Sequence, residues 1–232
     1  MKTVYDGEGR LERIFFAFDG MKKSFIAFGQ MMLVDSTCKT NHFGMPLSIF
    51  CGVHGDGQTV TFAYCLMRTE NEATVKWSFE CLKDCVGENA WNKCVCVITD
   101  GAPVYEQVIK DTIVNSKHIR CIWHIEQDLE KNLKNKIIDW ESFKLLWSKA
   151  VNALTEQEFN NNWTQMRTNY DISAGAYLDQ LYRIKEKFVR CFVKQVCTLG
   201  CFSTQRCESS NRVSILRSML GLQYSSVYHT EV

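Results

Sequence analysis

The first third of the chain carries three apolar segments with the length and the turn signals of β-strands. These segments cover residues 24–35, 44–54 and 58–67, and Gly55-Asp-Gly57 separates the second from the third. Glycine and aspartate at such a point favour a tight hairpin turn. The connections are short enough for the three strands to pair antiparallel with their neighbours.

The following segment changes between helical and strand patterns. Residues 71–86 predict a helix because apolar side chains recur every three or four positions, at Val75, Phe79, Leu82 and Val86. Residues 93–100 are almost continuously apolar, which is typical of a central strand buried on both faces. A second helix over 103–114, with Pro103 in its first turn, and a short strand over 118–123 follow.

This order of elements predicts an α/β fold built on a mixed sheet. Three antiparallel strands come first, and parallel strands joined by crossover helices follow, which is the order expected of an RNase H-like sheet. In that arrangement the first and fourth strands lie side by side, although they are far apart in the chain.

From residue 124 to about residue 199 the pattern is entirely helical. Thr155 and Glu158 form a capping-box signal at the start of one helix, and apolar residues across 177–192 predict a long amphipathic helix. A last helix follows the segment 200–203. The sequence therefore predicts three regions: the first part of the core over 1–123, an all-helical insertion over 124–199, and the C-terminal helix of the core over 200–232.

Composition narrows the class of protein without identifying it. The chain has 232 residues, of which 46% are hydrophobic and 23% charged, and this suits one sizeable core or one core with a smaller annex. No apolar run approaches the length of a membrane span, and the N-terminus lacks the apolar stretch of a signal peptide. We therefore expect a nuclear or cytosolic protein with no membrane partner, whose twelve cysteines are thiols or metal ligands rather than disulfides.

Charge is balanced overall and uneven locally. The net charge is +1, so the whole chain lacks the positive excess expected of a general polyanion binder. Between Arg183 and Arg217, however, eight basic residues stand against two acidic ones. A solvated helix face and a surface that contacts phosphate both explain such a segment.

Three carboxylates occupy positions that suit metal-dependent phosphate chemistry. Asp35 and Asp100 each end an apolar strand segment, and Glu208 stands just before an apolar helical pattern. Hard divalent ions prefer oxygen ligands, and two such ions can activate a nucleophile, stabilise the leaving oxygen and neutralise charge at phosphorus. Taken singly, each residue also fits a turn, a cap or a favourable place at a helix N-terminus. Together they indicate a two-metal centre that cuts or joins nucleic-acid strands.

Five blocks of sequence, in a fixed order, carry a family resemblance. They cover residues 35–47, 97–100, 121–125, 185–188 and 203–211. Through these blocks the chain resembles Mutator-like (MULE) transposases and their domesticated plant relatives of the far-red-impaired-response type. The 108 residues from Asp100 to Glu208 leave room for the helical insertion. The departures are Phe188, where the family usually has tryptophan, and the lack of the family's zinc-binding modules.

The resemblance implies an RNase H-like fold with a DDE triad at Asp35, Asp100 and Glu208. It also implies two Mg²⁺ or Mn²⁺ ions on these carboxylates and DNA as the partner, both transposon ends with terminal inverted repeats and target. The implied activity is DNA strand cleavage and strand transfer in the nucleus, carried out by a homo-oligomer on DNA.

A second function is compatible with the same fold. The plant relatives act as transcription regulators, so the alternative is a domesticated, non-catalytic regulator that binds DNA or proteins. A cellular RNase H-like nuclease is a third interpretation, which the long helical gap before Glu208 disfavours.

Further candidate residues surround the third carboxylate and the Cys-x-x-His element. Side chains near Glu208 suit phosphate contacts, and we expect DNA contacts from Gln205, Arg206, Asn211 and Arg212, with Arg206 foremost. Cys121 and His124 leave three interpretations open. They hold half of a structural zinc site completed by cysteines among 191, 197, 201 and 207, they pack and cap locally, or His124 positions DNA near the carboxylates.

Overall fold

A mixed sheet of seven strands forms the centre of the molecule. The computed structural model describes residues 1–37, 43–196, 198–205 and 207. The strands are β1 (Lys2–Tyr5), β2 (Leu11–Phe16), β3 (Met31–Thr37), β4 (Leu47–Val53), β5 (Thr59–Met67), β6 (Cys96–Thr99) and β7 (Lys117–Arg120). Across the sheet they lie in the order β1-β2-β5-β4-β3-β6-β7.

The pairing of the central strands confirms the mixed sheet expected from the sequence. β3, β4 and β5 pair antiparallel, whereas β6 pairs parallel to β3 and β7 parallel to β6. The predicted tight turn after β4 closes where the amide of His54 donates to the Gln58 carbonyl at 2.8 Å. The parallel connections pass through helices, as parallel strands require.

The N-terminal residues form a hairpin and a helix that the sequence patterns did not reveal. β1 pairs with β2, and β2 extends the sheet by pairing with β5. Residues 24–28, which we assigned to a strand, complete helix α1 (Asp19–Phe28), and β3 begins only after it. Phe25 packs against Phe62 and Trp91, with ring centroids 5.0 and 6.0 Å apart. The strand prediction was wrong here because only two turn residues, Gly29 and Gln30, separate the apolar end of the helix from the apolar strand.

Four helices pack on one face of the sheet: α1, α2 (Glu72–Val86), α3 (Glu88–Trp91) and α4 (Pro103–Thr112). Asn71 caps α2, because its side chain accepts from the Thr74 amide while the Thr74 hydroxyl accepts from the Asn71 amide, both at 3.0 Å. Along β3, Val34 packs into this helical layer and Leu33 into the layer on the opposite face. Both faces of the central strands are therefore buried, as their continuous apolar sequence predicts.

The opposite face meets the C-terminal part of the chain. Its helices are α5 (Ile122–Leu133), α6 (Trp140–Val151), α7 (Glu156–Asn169), α8 (Asp171–Arg183) and α9 (Arg190–Val193), with a 3₁₀ turn at Lys185–Lys187. These helices enclose an apolar core of their own, which includes Phe143, Trp147 and Phe159. Val193 and Cys207 complete the apolar layer under the sheet.

The helical part confirms one sequence signal and corrects another. Thr155 caps α7, since its hydroxyl accepts from the Glu158 amide at 3.1 Å, although the Glu158 carboxylate accepts from the Leu154 amide. The long helix expected over 177–192 is interrupted after α8, where a 3₁₀ turn brings Phe188 into the helical core. That expectation was wrong because the apolar spacing continues across the break.

The C-terminal helix predicted within 200–232 lies mostly outside the described residues and stays a prediction. The division of the chain at residues 124 and 200 is likewise a prediction. None of the described helices is both long and apolar enough to cross a membrane.

Gly52 of β4 is a position where a side chain has no room. A Cβ atom added there would lie 2.7 Å from Cε2 of Phe62 and 3.1 Å from the carbonyl oxygen of Met31. Phe62 is fully buried and cannot move aside without disturbing its neighbours. We expect Gly52→Ala to lower the free energy of unfolding by about 1–3 kcal/mol, the cost of overpacking a core. Chemical denaturation followed by circular dichroism measures this change.

Gly20 of α1 provides the matched control, because a Cβ added there meets nothing within 4 Å. Alanine is favoured over glycine in a helix by roughly 0.5–1 kcal/mol, so Gly20→Ala should be neutral or stabilising. Equal stability of the two variants would contradict the close packing at Gly52.

Candidate functional site

Asp35 and Asp100 lie at one edge of the sheet, where the parallel strands β3 and β6 end. The register of these strands pairs Leu33 with Ile98. Continuing it by two residues aligns Asp35 with Asp100 on the face that carries Leu33 and Ile98, because side chains alternate along a strand. The adjacency that we predicted for these two residues therefore follows directly from the strand pairing.

The two carboxylates differ in burial. Asp35 is only 4% exposed and lies opposite Ile49 of β4. Asp100 is half-buried, and its Oδ1 accepts a hydrogen bond from the Ala102 amide at 3.0 Å. Burying a carboxylate as deeply as Asp35 carries a desolvation cost that folds accept mostly at functional sites.

Cys121 and His124 fasten the C-terminal segment to the end of β7. The Cys121 amide donates to the Thr99 carbonyl at 2.7 Å, and its sulfur accepts from the Thr204 amide at 3.2 Å. The Thr204 hydroxyl lies 3.4 Å from Nδ1 of His124. The Cys-x-x-His element thus joins the start of α5 to Thr204.

Charges near the Cys121–His124 pair favour its ionised forms. Burial alone would lower the pKa of His124, but a hydrogen bond with Cys121 and the negative charges of Cys121, Asp35 and Asp100 raise this pKa to about 9. Burial would raise the pKa of the Cys121 thiol, but hydrogen bonds with His124 and Thr204 bring it below its ordinary value. A protonated His124 beside two carboxylates fits the interpretation in which it positions DNA.

The zinc interpretation finds no complete ligand set in the part of the chain that is described. There, no three His, Cys, Asp or Glu side chains are grouped so that they could hold a metal ion. Cys191 lies in the separate core of the helical part, whereas Cys121, Cys201 and Cys207 lie under the sheet. Cys197 is outside the described residues. Structural zinc therefore stays an untested alternative.

The third carboxylate and most of the DNA-contact candidates lie outside the described residues, namely Glu208, Arg206, Asn211 and Arg212. Gln205 is described and exposed. Cys207, the residue before Glu208, is buried with its sulfur 2.6 Å from that of Cys51 in β4. Burial raises the pKa of Cys207 well above its ordinary value, and the nearby Cys51 and Asp35 add to this effect. The chain therefore reaches the neighbourhood of Asp35 one residue before Glu208.

A hydrogen-bonded chain that the sequence did not suggest supports the end of β3. The buried hydroxyl of Tyr105 donates to Oε1 of Glu70 at 2.6 Å and lies 2.9 Å from the Ser36 hydroxyl, which in turn bonds to Ser48. Burial, the charge of Glu70 and the hydrogen bond to it hold the pKa of Tyr105 well above its ordinary value, so the hydroxyl stays a donor. Tyr105 is 35 residues from Glu70 and 69 from Ser36, so local patterns give no signal for these contacts.

The basic segment that begins at Arg183 is partly committed to contacts within the protein. The Lys185 ammonium lies 3.8 Å from the centre of the Tyr182 ring. Lys187 pairs with Glu106, and Lys194 donates to the Leu154 carbonyl at 2.8 Å. Neither a wholly solvated face nor a continuous phosphate-binding surface describes residues 183–194.

A known family model matches the part of the chain that carries Asp35, Asp100, Cys121 and His124. Residues 31–128 match the model of the MULE transposase domain. This stretch, from β3 into α5, is therefore related to a transposase domain. The resemblance that we inferred from five sequence blocks is confirmed.

The similar proteins come from Arabidopsis thaliana. The chain is 23% identical over 203 residues to Protein FAR-RED IMPAIRED RESPONSE 1, with 87% of the chain and 24% of that protein covered. It is 25% identical over 206 residues to Protein FAR1-RELATED SEQUENCE 5, with 85% of the chain and 25% of that protein covered. The chain thus spans about a quarter of the length of these curated relatives.

The cause of the raised pKa of His124 can be tested by replacing Cys121, its hydrogen-bond partner. We expect His124 to titrate with a pKa of about 9. In Cys121→Ser this pKa should fall toward the ordinary value of about 6.5, because serine carries no negative charge. NMR titration of the imidazole Cε1 proton measures both values.

Cys191→Ser is the matched control, because Cys191 is buried in the helical core and away from this layer. It should leave the titration of His124 unchanged. If Cys121→Ser also left it unchanged, the thiolate would not be the group that raises the pKa.

Proposed function

We propose that this chain is the transposase-derived, DNA-binding core of a transcription regulator that acts in the nucleus. The observation that carries the proposal is the similarity to far-red-impaired-response proteins along more than four-fifths of the chain. The family resemblance implies that such proteins keep the transposase fold while regulating transcription. A fold does not guarantee the ancestral chemistry, so binding without cutting is consistent with it.

The sheet supports an RNase H-like assignment for this core. Among the five strands from β3 to β7, the order across the sheet is third, second, first, fourth and fifth. The first three pair antiparallel and the last two parallel, which is the arrangement expected from the sequence. The strands β1 and β2 extend the sheet beyond this unit.

DNA binding would use the sheet edge at which Asp35 and Asp100 lie. His124, when protonated, offers a positive group beside these carboxylates. Gln205 is exposed close to Thr204, and we propose it as a contact together with Arg206, Asn211 and Arg212. We also propose that two or more copies assemble on DNA, as the family resemblance implies.

Binding to duplex DNA in the absence of divalent ions tests this function. We expect the purified chain to bind a fluorescent random-sequence duplex in EDTA, with an affinity that falls steeply from about 50 to 200 mM salt. The double variant Asp35→Asn, Asp100→Asn should bind at least as well, because it removes negative charge from the edge. Fluorescence anisotropy measures both.

A chain that showed no affinity for DNA at low salt would rule the proposal out. The single variant Asp111→Asn serves as a control for the double variant, since Asp111 is exposed in the last turn of α4.

A catalytic DDE transposase core is the second candidate, and the alignment of Asp35 with Asp100 favours it. The two carboxylates supply the hard oxygen ligands that Mg²⁺ or Mn²⁺ prefers, and the proposed third ligand, Glu208, follows the buried Cys207. Two such ions, when bound, would supply an activated nucleophile and neutralise the charge that develops at phosphorus. The chain itself would orient the carboxylates through the strand pairing and hold a proton on His124.

Metal binding separates the two candidates. If the chain is a non-catalytic regulator, titration calorimetry with Mn²⁺ should give no two-ion binding that depends on Asp100. Two bound ions in the natural chain and in Asp111→Asn, together with their loss in Asp100→Asn, would establish a metal centre. Nicking of inverted-repeat DNA with Mn²⁺ that Asp100→Asn abolishes would then replace the first candidate with the second.

A further inference from the structure

Two basic side chains lie at the edge of the sheet where the parallel strands β3 and β6 end. Both of them approach the same carboxylate. Arg120 is the last residue of β7 and pairs with Thr99, the residue before Asp100. Lys187 reaches the same place from the 3₁₀ turn of the helical part. Both approach Glu106 in the first turn of α4. The edge that carries the proposed site therefore has a positive flank.

The backbone fixes where the Arg120 side chain lies. Gly101 has a φ of +89°, and a Cβ atom added to it would be 2.8 Å from Cδ and 3.1 Å from Nε of Arg120. The side chain of Arg120 thus crosses directly over the turn that follows Asp100. A glycine at this point is required both by the backbone angle and by the close approach of the arginine.

The carboxylate of Glu106 pairs mainly with Lys187. Nζ of Lys187 lies 2.5 Å from Glu106, whereas the nearest approach of Arg120 to Glu106 is 3.8 Å, which is too long for a hydrogen bond. Nε of Arg120 is buried and has no hydrogen-bond partner among the described residues. The buried Nε is out of reach of a ligand, so a ligand would bind the terminal amino groups of the guanidinium, for which the described residues provide no hydrogen bond.

The neighbouring histidine adds no further charge to this balance. Burial lowers the pKa of His118 to about 4, with Lys187 and Arg120 contributing in the same direction. Its Nε2 lies 2.9 Å from the Thr99 hydroxyl. At neutral pH Arg120 and Lys187 are thus the two cations beside the carboxylate of Glu106, and the carboxylate of Asp100 lies before the turn that Arg120 covers.

We propose that Arg120, with Lys187 beside it, binds a phosphodiester group of the DNA backbone at this edge of the sheet. Guanidinium groups present planar, paired donors that match phosphate oxygens. The Arg120 and Lys187 side chains are 23% and 24% exposed, so a phosphate can reach them without a rearrangement of the fold. This inference rests on the proposed function, because it assumes that the chain binds DNA.

Salt-dependent binding of Arg120→Gln tests the inference. Each phosphate contact contributes about 0.9 to the slope of log affinity against log salt, so the variant should lose about that much slope and bind roughly tenfold more weakly near 0.1 M salt. Arg120→Lys should keep most of the slope because it keeps the charge. The probe is the same fluorescent random-sequence duplex, read by anisotropy.

Lys110→Gln is the charge-matched control. Lys110 is exposed in the last turn of α4, about 10 Å along the helix from Pro103 and away from the sheet edge. Lys110→Gln removes one positive charge, as Arg120→Gln does. It should leave the slope of log affinity against log salt within error of the slope of the natural chain. An equal loss of slope in Lys110→Gln and Arg120→Gln would overturn a specific contact at Arg120.

Glu106→Gln tests the same site in the opposite direction. Without the shared carboxylate both cations become available, and binding should tighten several-fold while the slope rises. If a thermal melt shows that Arg120→Gln does not fold, Glu106→Gln tests the phosphate contact on its own. Unchanged or weaker DNA binding by Glu106→Gln would overturn the inference.

The outcomes separate the inference from the proposed function. If the natural chain binds DNA and Arg120→Gln binds with the same affinity and slope, Arg120 only supports the turn and the inference is wrong. If the natural chain does not bind DNA at all, the proposed function itself fails.

Discussion

The parallel pairing of β3 with β6 is the constraint on which the candidate site depends. It joins two segments that are far apart in the chain, and the intervening hairpin and helices supply the crossover that such a pair needs. Because side chains alternate along a strand, a slip of one residue would move Asp35 or Asp100 to the opposite face. The apolar residues before each aspartate, buried on both faces, hold the register in place.

The two layers that cover the sheet contribute differently to this edge. The α1–α4 layer supports the end of β3 through the buried Tyr105 hydroxyl and its bonds to Ser36 and Glu70. The C-terminal part brings Thr204 against Cys121 and places Cys207 near β4. The carboxylates thus lie between the hydrogen-bonded chain of Ser36, Tyr105 and Glu70 on one face and an ionisable Cys–His pair on the other.

The sequence predicted those parts of the fold whose determinants are local. The strands β3 to β5 followed from apolar segments and the turn at residues 55–57, and the α/β order with a mixed sheet followed from the succession of elements. Helix α1 was missed because only Gly29 and Gln30 separate its apolar end from the apolar residues of β3. The interruption after Arg183 was missed because apolar spacing cannot report that Phe188 turns into another layer.

The same distinction applies to the candidate site. Asp35 and Asp100 could be named because each ends an apolar strand, and Glu208 because it stands just before an apolar helical pattern, whereas the family resemblance added Cys121 and His124. The contacts of Tyr105 with Glu70 and of Arg120 with Glu106 could not be named in advance. Their partners are separated along the chain, and ordinary residue types at each position carry no local pattern.

The contact between Cys51 and Cys207 joins positions 156 residues apart, and Cys121 meets Thr204 across 83 residues. Contacts at such separations form late, because the intervening chain must first be brought together. During synthesis the sheet and the helical part can therefore form before Thr204 and Cys207 reach the edge at which β3 and β6 end. The same geometry makes residues 202–205 the segment whose detachment would uncover that edge without breaking a strand pair of the sheet.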